Sequence, residues 1–231
     1  MVSLDNNLWF LSYPLKLLGV NVRRNVSVIR LKSGKIIIHS TGPFTGEDVS
    51  AISALGTVSW LVEAMLRHDT FSQQGREAFP NVPYLAPPGF AQHVDFVPRA
   101  IVPAPADWTG EVDALELQGA PGMRETVFFH RSSRTLIVAD LVYNFPRHEP
   151  LWSELMLRAA VGSHHEPGMS RAFKISIKDE AAFQQSIAQM LAWDFDRVIV
   201  GHGDVIETEG KEKVTHALKD AGVIETTAAT R

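Results

Sequence analysis

The chain has 231 residues, 45% of them apolar and 21% charged, with a formal net charge of -4. That balance fits a folded globular protein with a sizeable core, and it lacks the basic block that nucleic acid or an anionic membrane would attract. There is no cysteine, so disulfides and thiolate metal sites are excluded and any metal must be held by histidine and carboxylate.

No run approaches the roughly 18 apolar residues of a membrane span. The opening MVSLDNNLWFLSYPL carries an acid and no basic segment, so it does not read as a signal peptide, and a cytoplasmic location is the default expectation.

The first clear elements lie in NVSVIRLKSGKIIIHS. Val26–Leu31 and Lys35–His39 are predicted strands around a tight turn at Lys32-Ser-Gly34. Thr45 precedes Glu47 and Asp48 and an apolar face of Val49, Ile52 and Leu55, which predicts a short helix ending at Gly56. Val58–Val62 is predicted as a strand buried on both faces. Phe71–Phe79 reads as helix, and Val82–Ala86 as a short extended piece. Gln92–Trp108 is irregular and rich in Pro and Ala, a loop or a weak divider.

Val112–Leu117 is the next predicted strand. Thr126–His130 and Thr135–Asp140 form a second hairpin across Arg131-Ser-Ser-Arg134. Leu151–Val161 and Glu180–Ala192 are predicted helices, with a loop at Gly162–Gly168 between them that carries His164 and His165. Arg197–Val200 is a strand running into Gly201-His-Gly203, Glu209–Ala221 is a last helix, and Ile224–Arg231 is a tail. Each half opens with a hairpin and closes with a strand and a helix. The expectation is one α/β domain over residues 1–231, a four-layer αββα sandwich whose N-terminal half ends near residue 110 and whose C-terminal half begins near 111.

Several predicted strands end in a metal-loving side chain. His68 and Asp69 follow Val58–Val62, Asp140 ends TLIVAD, and His202 sits between two glycines after VIV. Strand ends at one edge of a layered fold converge in space, and ligands collect there. Histidine with carboxylate suits Zn²⁺, or Fe or Mn where carboxylate dominates. Each position has a plainer alternative. Asp69 could cap the following helix, Asp140 could cap a turn, and His202 could be a turn histidine. His39, Glu63 and His130 are candidates for supporting the site or contacting substrate, and His130 at a hairpin end also reads as structural.

These pieces, in this order, resemble the metallo-β-lactamase superfamily with its glyoxalase II-like hydrolase fold. In that family a strand ends in Asp-Thr-Gly; here it reads Ser40-Thr-Gly42. An apolar strand then leads to His-x-His-x-Asp-His, where this chain has Ala64-Met-Leu-Arg-His-Asp69. Gly119-Ala-Pro-Gly-Met123 stands at the family's Thr-Pro-Gly-His, Thr135–Asp140 at its Gly-Asp hairpin, and Ile199–Gly203 at its Gly-His-Gly strand. The resemblance spans Asn25 to Gly203 and is nearest to a bacterial branch with a degenerate metal site and a hairpin like ETVFFHRSSRTL at Glu125–Leu136.

The departures are specific. The three imidazoles of the family's first metal correspond to Ala64, Leu66 and Met123, so that site is expected to be absent. The second-metal positions correspond to His68, Asp69, Asp140 and His202, all able to ligate, with the leading pair inverted. The resemblance therefore implies at most one divalent metal, Zn first, and a metal-dependent hydrolase of a small-molecule ester, lactone or thioester in which Asp69 and Asp140 act catalytically. The alternative is a non-catalytic relative with no metal that binds a small molecule or a partner. A homodimer is left open.

Overall fold

The computed structural model describes residues 1–17, 20–145 and 167–225. The chain enters through strands the sequence analysis did not anticipate. β1 (Val2–Asp5) and β2 (Leu8–Tyr13) form a hairpin, and β3 (Lys16–Leu17) pairs with β4 (Val20–Asn21). Leu8 and Leu11 are buried, and β2 runs antiparallel to β5 (Arg24–Arg30) from Leu8↔Ile29 to Tyr13↔Arg24. The turn residues Asp5-Asn6-Asn7 were the available signal.

β5 and β6 (Lys35–His39) make the expected hairpin, with Gly34 at φ +79 in its turn. The chain then crosses over through helix α1 (Gly46–Ser53) to β7 (Thr57–Val62), which lies parallel to β6. Thr45 caps α1 in a reciprocal box with Asp48. Gly56 is obligatory at the end of this crossover, since a Cβ there would lie 2.2 Å from the Gly34 carbonyl oxygen. Only the second half of β7 is buried, unlike the full burial its apolar sequence predicts. After helix α2 (Ser72–Ala78), β8 (Tyr84–Leu85) completes a sheet of order β1-β2-β5-β6-β7-β8.

Residues 92–108 do not divide the chain. Ile101 and Trp108 are buried in the same core cluster as Ile37 and Phe128. The second sheet has the order β12-β11-β10-β9, built from β9 (Val112–Glu116), β10 (Thr126–His130), β11 (Thr135–Ile137) and β12 (Arg197–Ile199). β11 and β12 are parallel. The short helix α3 (Arg171–Ser176) was not anticipated, whereas α4 (Glu180–Leu191) and α5 (Gly210–Asp220) were, and they pack on β9 and β12. The predicted helix Leu151–Val161, His164, His165 and all of the tail beyond 225 lie outside the described residues.

The alternation of side chains along β6 builds the layers. Ile36 and Ile38 face an outer cluster with Val26, Val28, Ile52 of α1, and Phe79. Ile37 faces the other way, into a cluster with Phe128, Ile137 and Val198 of the second sheet and Phe183 and Ile187 of α4. The result is helix, sheet, sheet, helix, the expected αββα sandwich. Among the described residues no helix is long and apolar enough to cross a membrane.

Because Ile37 is fully buried between the sheets, Ile37→Ala should cost about 2–5 kcal/mol in urea unfolding. Val97→Ala, at a side chain 89% exposed, should change stability by about 0.5 kcal/mol or less. Equal effects at both sites would contradict this layering.

Candidate functional site

Parallel neighbours end on the same edge of a sheet, and two of the parallel pairs, β6 with β7 and β11 with β12, lead into the site. The turns beyond their C-terminal ends carry His68, Asp140 and His202. His68 Nε2 lies 3.3 Å from Asp140 Oδ1 and 3.3 Å from His202 Nε2, and His202 Nε2 lies 3.3 Å from Asp140 Oδ1. Three donor atoms thus form a triangle of equal sides.

That triangle has the size of a metal site. A tetrahedral ion with bonds of about 2.0–2.1 Å holds its ligands about 3.3–3.4 Å apart. The donors match one face of such a tetrahedron and leave the fourth position to another ligand. The chemistry of the donors also fits. Asp140 Oδ1 is buried and accepts no hydrogen bond. His202 Nδ1 is 2.6 Å from the Arg23 carbonyl oxygen; donating its proton there leaves the Nε2 lone pair facing the other two donors.

Tight packing sets these positions. A Cβ on Gly201 would lie 2.5 Å from the Ala139 carbonyl oxygen and 3.0 Å from His68 Cε1. Gly203, at φ +98, would place one 2.1 Å from the Asn144 carbonyl oxygen. The Asn25 amide donates to the Val200 and Gly203 carbonyls, both at 2.8 Å, and ties the histidine loop to β5. The Tyr143 ring stacks on His202 at 5.9 Å. Burial and the nearby Asp140 carboxylate push its phenol well above its ordinary ionisation range.

Beneath His68 lies a buried ion pair. Arg24 donates through Nη2 to Glu63 Oε2 at 3.0 Å and to the His68 carbonyl at 2.5 Å, and through Nε to the Thr41 carbonyl at 3.0 Å. Glu63 also accepts from the Thr41 backbone N–H at 2.8 Å, from the Thr41 hydroxyl, and from Tyr84 at 3.3 Å. Burial pushes the Glu63 carboxyl up, and Arg24 offsets only part of that. On the far side of the triangle, Glu125 is fully buried and accepts from the Ala139 and Asp140 backbone N–H groups, each at 2.8 Å. Burial, reinforced by Asp140, pushes its carboxyl up to about 8.

Burial, then the Arg24 guanidinium, push His68 down to about 4, so the ring is neutral at pH 7. Burial alone would raise Asp140, but His68 and His202 together outweigh it and hold that carboxyl far below the usual carboxylate range.

Not every candidate residue reaches the triangle. Asp69 does not. It opens a 3-10 turn over Asp69–Phe71 and lies 3.4 Å from the exposed His93 through Oδ2, because the turn after His68 carries its side chain outward. The donor set is therefore three residues instead of four. His130 is also elsewhere: it ends β10 at the edge opposite Glu125 and lies within hydrogen-bonding distance of Ser132 and Ser133. Glu63 and His39 do stand beside the triangle. Glu63 Oε2 is 3.9 Å from His68 Nδ1, too long for a hydrogen bond, and His39 is buried near His68 with its ring edge-on to Phe128. The side chains expected at the missing first metal are apolar and packed. Ala64 and Met123 belong to the core, and the Leu66 N–H donates to the Met123 carbonyl at 3.0 Å.

Sequence reading missed Arg24, Asn25, Glu125 and Tyr143. The signal for Arg24 and Glu125 was a charge opening an otherwise apolar strand, RNVSVI and ETVFF. Nothing in the spacing pointed to Tyr143.

The architecture and the site can be set beside known proteins. No protein-family model matches the chain, and no curated protein is similar to it. Solved structures are. A metallo-β-lactamase from Pontibacter korlensis superposes with a TM-score of 0.63 at 12% identity, covering 96% of this chain and 97% of that one. The chain has the metallo-β-lactamase fold. The DIM-1 metallo-β-lactamase gives a TM-score of 0.62 at 15% identity over 96% and 95% of the two chains. The FIM-1 metallo-β-lactamase from Pseudomonas aeruginosa, in a mono-zinc form, gives 0.63 at 11% over 97% and 96%. Within the metallo-β-lactamase fold, His68, Asp140 and His202 are the described residues that could hold a metal ion together.

Two measurements probe the supports of this site. Arg24→Met leaves the Glu63 carboxylate buried without its partner and should cost about 3–5 kcal/mol in equilibrium unfolding; a cost below about 1 kcal/mol would mean the pair contributes little. Burial, with His68 and Arg24 adding to it, pushes His39 down from 6.5 to about 3. A depressed histidine favours the neutral ring in the fold, so its contribution is complete above pH 6.5 and is lost as pH falls towards 3. Over that window His39→Gln should flatten the acid limb of stability by up to about 1.4 kcal/mol per pH unit. Parallel limbs for the two proteins would refute the assignment.

Proposed function

We propose that this protein is a mononuclear metal-dependent hydrolase, cytoplasmic, with Zn²⁺ as its ion and a small-molecule ester, lactone or thioester as substrate. The observation that carries this reading is the triangle of Asp140 Oδ1, His68 Nε2 and His202 Nε2, each pair 3.3 Å apart. Neutral imidazoles and an unpartnered buried carboxylate are the donors a borderline dication takes. The mono-zinc form of FIM-1 supports one ion as sufficient occupancy for the fold. The substrate class rests on likeness of fold and is the least constrained element.

When bound, a dication at these three residues supplies Lewis acidity and lowers the pKa of water towards neutrality. The chain's own groups do the rest. The Arg23 carbonyl holds His202 in one tautomer, Arg24 fixes the His68 turn through its carbonyl, and Glu125 fixes the Asp140 turn. The Tyr143 hydroxyl faces Asp140 and can donate a hydrogen bond beside the reacting group. Asp140 serves as ligand and as the charge that orients water.

A second reading has one observation in its favour. His68 Nε2 and His202 Nε2, 3.3 Å apart, can share a proton with no ion present. A folded, non-catalytic binding protein would then keep the cluster as a hydrogen-bonded group.

Elemental analysis of protein purified from Zn-, Fe- and Mn-supplemented growth separates the two. The hydrolase reading expects close to one ion per chain, lost in His202→Ala. Chelator should lower the melting temperature, and excess Zn²⁺ at about 100 times its dissociation constant should stabilise by about 2.7 kcal/mol. Hydrolysis of generic esters and thioesters should require the ion. Metal-free protein whose melting ignores both chelator and Zn²⁺ would leave only the binding reading.

A further inference from the structure

Asp140 lies in a bend that leaves β11 at Ile137, so no strand pairing fixes its direction. Its backbone is held by a side chain. The two carboxylate oxygens of Glu125 accept separately, Oε1 from the Ala139 N–H and Oε2 from the Asp140 N–H, both at 2.8 Å, and the Leu141 N–H faces the same carboxylate. Glu125 is fully buried. Its own backbone is anchored where the other ligand-bearing turns meet. The Leu117 N–H donates to the Glu125 carbonyl at 2.8 Å, and the neighbouring Thr126 N–H donates to the Ala64 carbonyl at 2.7 Å, at the start of the turn leading to His68. The Gly201 N–H donates to the Ala139 carbonyl at 3.0 Å, which joins the clamped bend to the His202 loop.

We infer that Glu125 is a positioning residue for the metal centre, whose paired acceptor oxygens hold the 139–141 bend so that Asp140 Oδ1 completes the triangle with His68 and His202. This rests on the metal-site reading above. The clamp needs an accepting oxygen opposite each N–H; a carboxyl offers two oxygens in either protonation state, with any proton turned away from the bend, whereas an amide nitrogen cannot accept. Burial of a polar group of this kind is tolerated only because it is hydrogen-bonded, and outer residues that orient ligands act on metal affinity, typically 10–100-fold.

Glu125→Gln separates positioning from space-filling. The amide keeps the volume and shape but turns one acceptor into a donor that opposes a backbone N–H. Zn²⁺ affinity, measured by competition with a chromogenic chelator on variants whose circular dichroism matches the parent, should fall about 10–100-fold in Glu125→Gln. Glu125→Ala should fall at least as far. An unchanged affinity in Glu125→Gln would overturn the inference. Should the variants fail to fold, hydrogen exchange of the metal-free parent protein decides it. The Ala139 and Asp140 amides should exchange as slowly as the strand amides of β10, and exchange at the rate of an open loop would overturn the clamp. A parent protein that binds no Zn²⁺ at all would instead defeat the hydrolase reading, with the exchange result still standing on its own.

Discussion

The Asp140 carboxylate is the constraint around which this molecule is arranged. Its Oδ1 is buried and takes no hydrogen bond. An isolated buried charge costs several kcal/mol, so its surroundings must compensate. Two imidazoles face that oxygen, His68 depressed and His202 tautomerically fixed, so that they offer lone pairs and leave the charge to be offset by something else. Three acceptors facing one another at 3.3 Å repel. Proton sharing relieves part of that repulsion and a dication relieves all of it. The same electrostatics explain why the nearby Arg24 does not enter the triangle. It is already committed to Glu63, Thr41 and the His68 carbonyl, and the pair cancels its own charge.

Backbone strain is spent at the same places. Arg23, Ser40 and Arg124 have φ of 58, 63 and 48, left-handed values that cost a non-glycine residue energy. Each directly precedes a buried residue of the site: Arg24, Thr41 and Glu125. A left-handed residue changes the local direction of the chain just before each of these buried side chains. The Arg23 carbonyl, between β4 and β5, is the acceptor for His202. At Arg23 the strain is thereby coupled to ligand orientation; Arg134 and Glu209 adopt the same conformation at the turns into β11 and α5, away from the triangle.

Much of the architecture was legible because it follows from periodicity. KIIIH alternates between two apolar layers, a pattern that requires the sheet to be covered on both faces, and the turn at Gly34 and the cap at Thr45 carry their own local chemistry. β1 and β2 escaped because their alternation is weak and only β2 reaches β5, across an intervening pair of short strands; the local trace they left was the turn at Asp5-Asn6-Asn7. At the site, His68, Asp140 and His202 could be picked out as polar residues at apolar strand ends. Asp69 could not be separated from His68, since adjacent residues in a turn point in different directions and only the tertiary path selects which faces inward. The supports were harder still. Arg24 and Glu63 look like ordinary surface charges at strand ends, and their burial is created by each other.

The apolar filling of the first-metal positions has a consequence for the site that remains. Where the family's pattern places imidazoles, Ala64 and Met123 are buried in the core and Leu66 hydrogen-bonds through its backbone to Met123. With hydrocarbon at those positions, Asp140 Oδ1 faces His68 and His202, both at the same distance. Two neutral imidazoles and one carboxylate give the triangle a single negative charge, which a single cation would match.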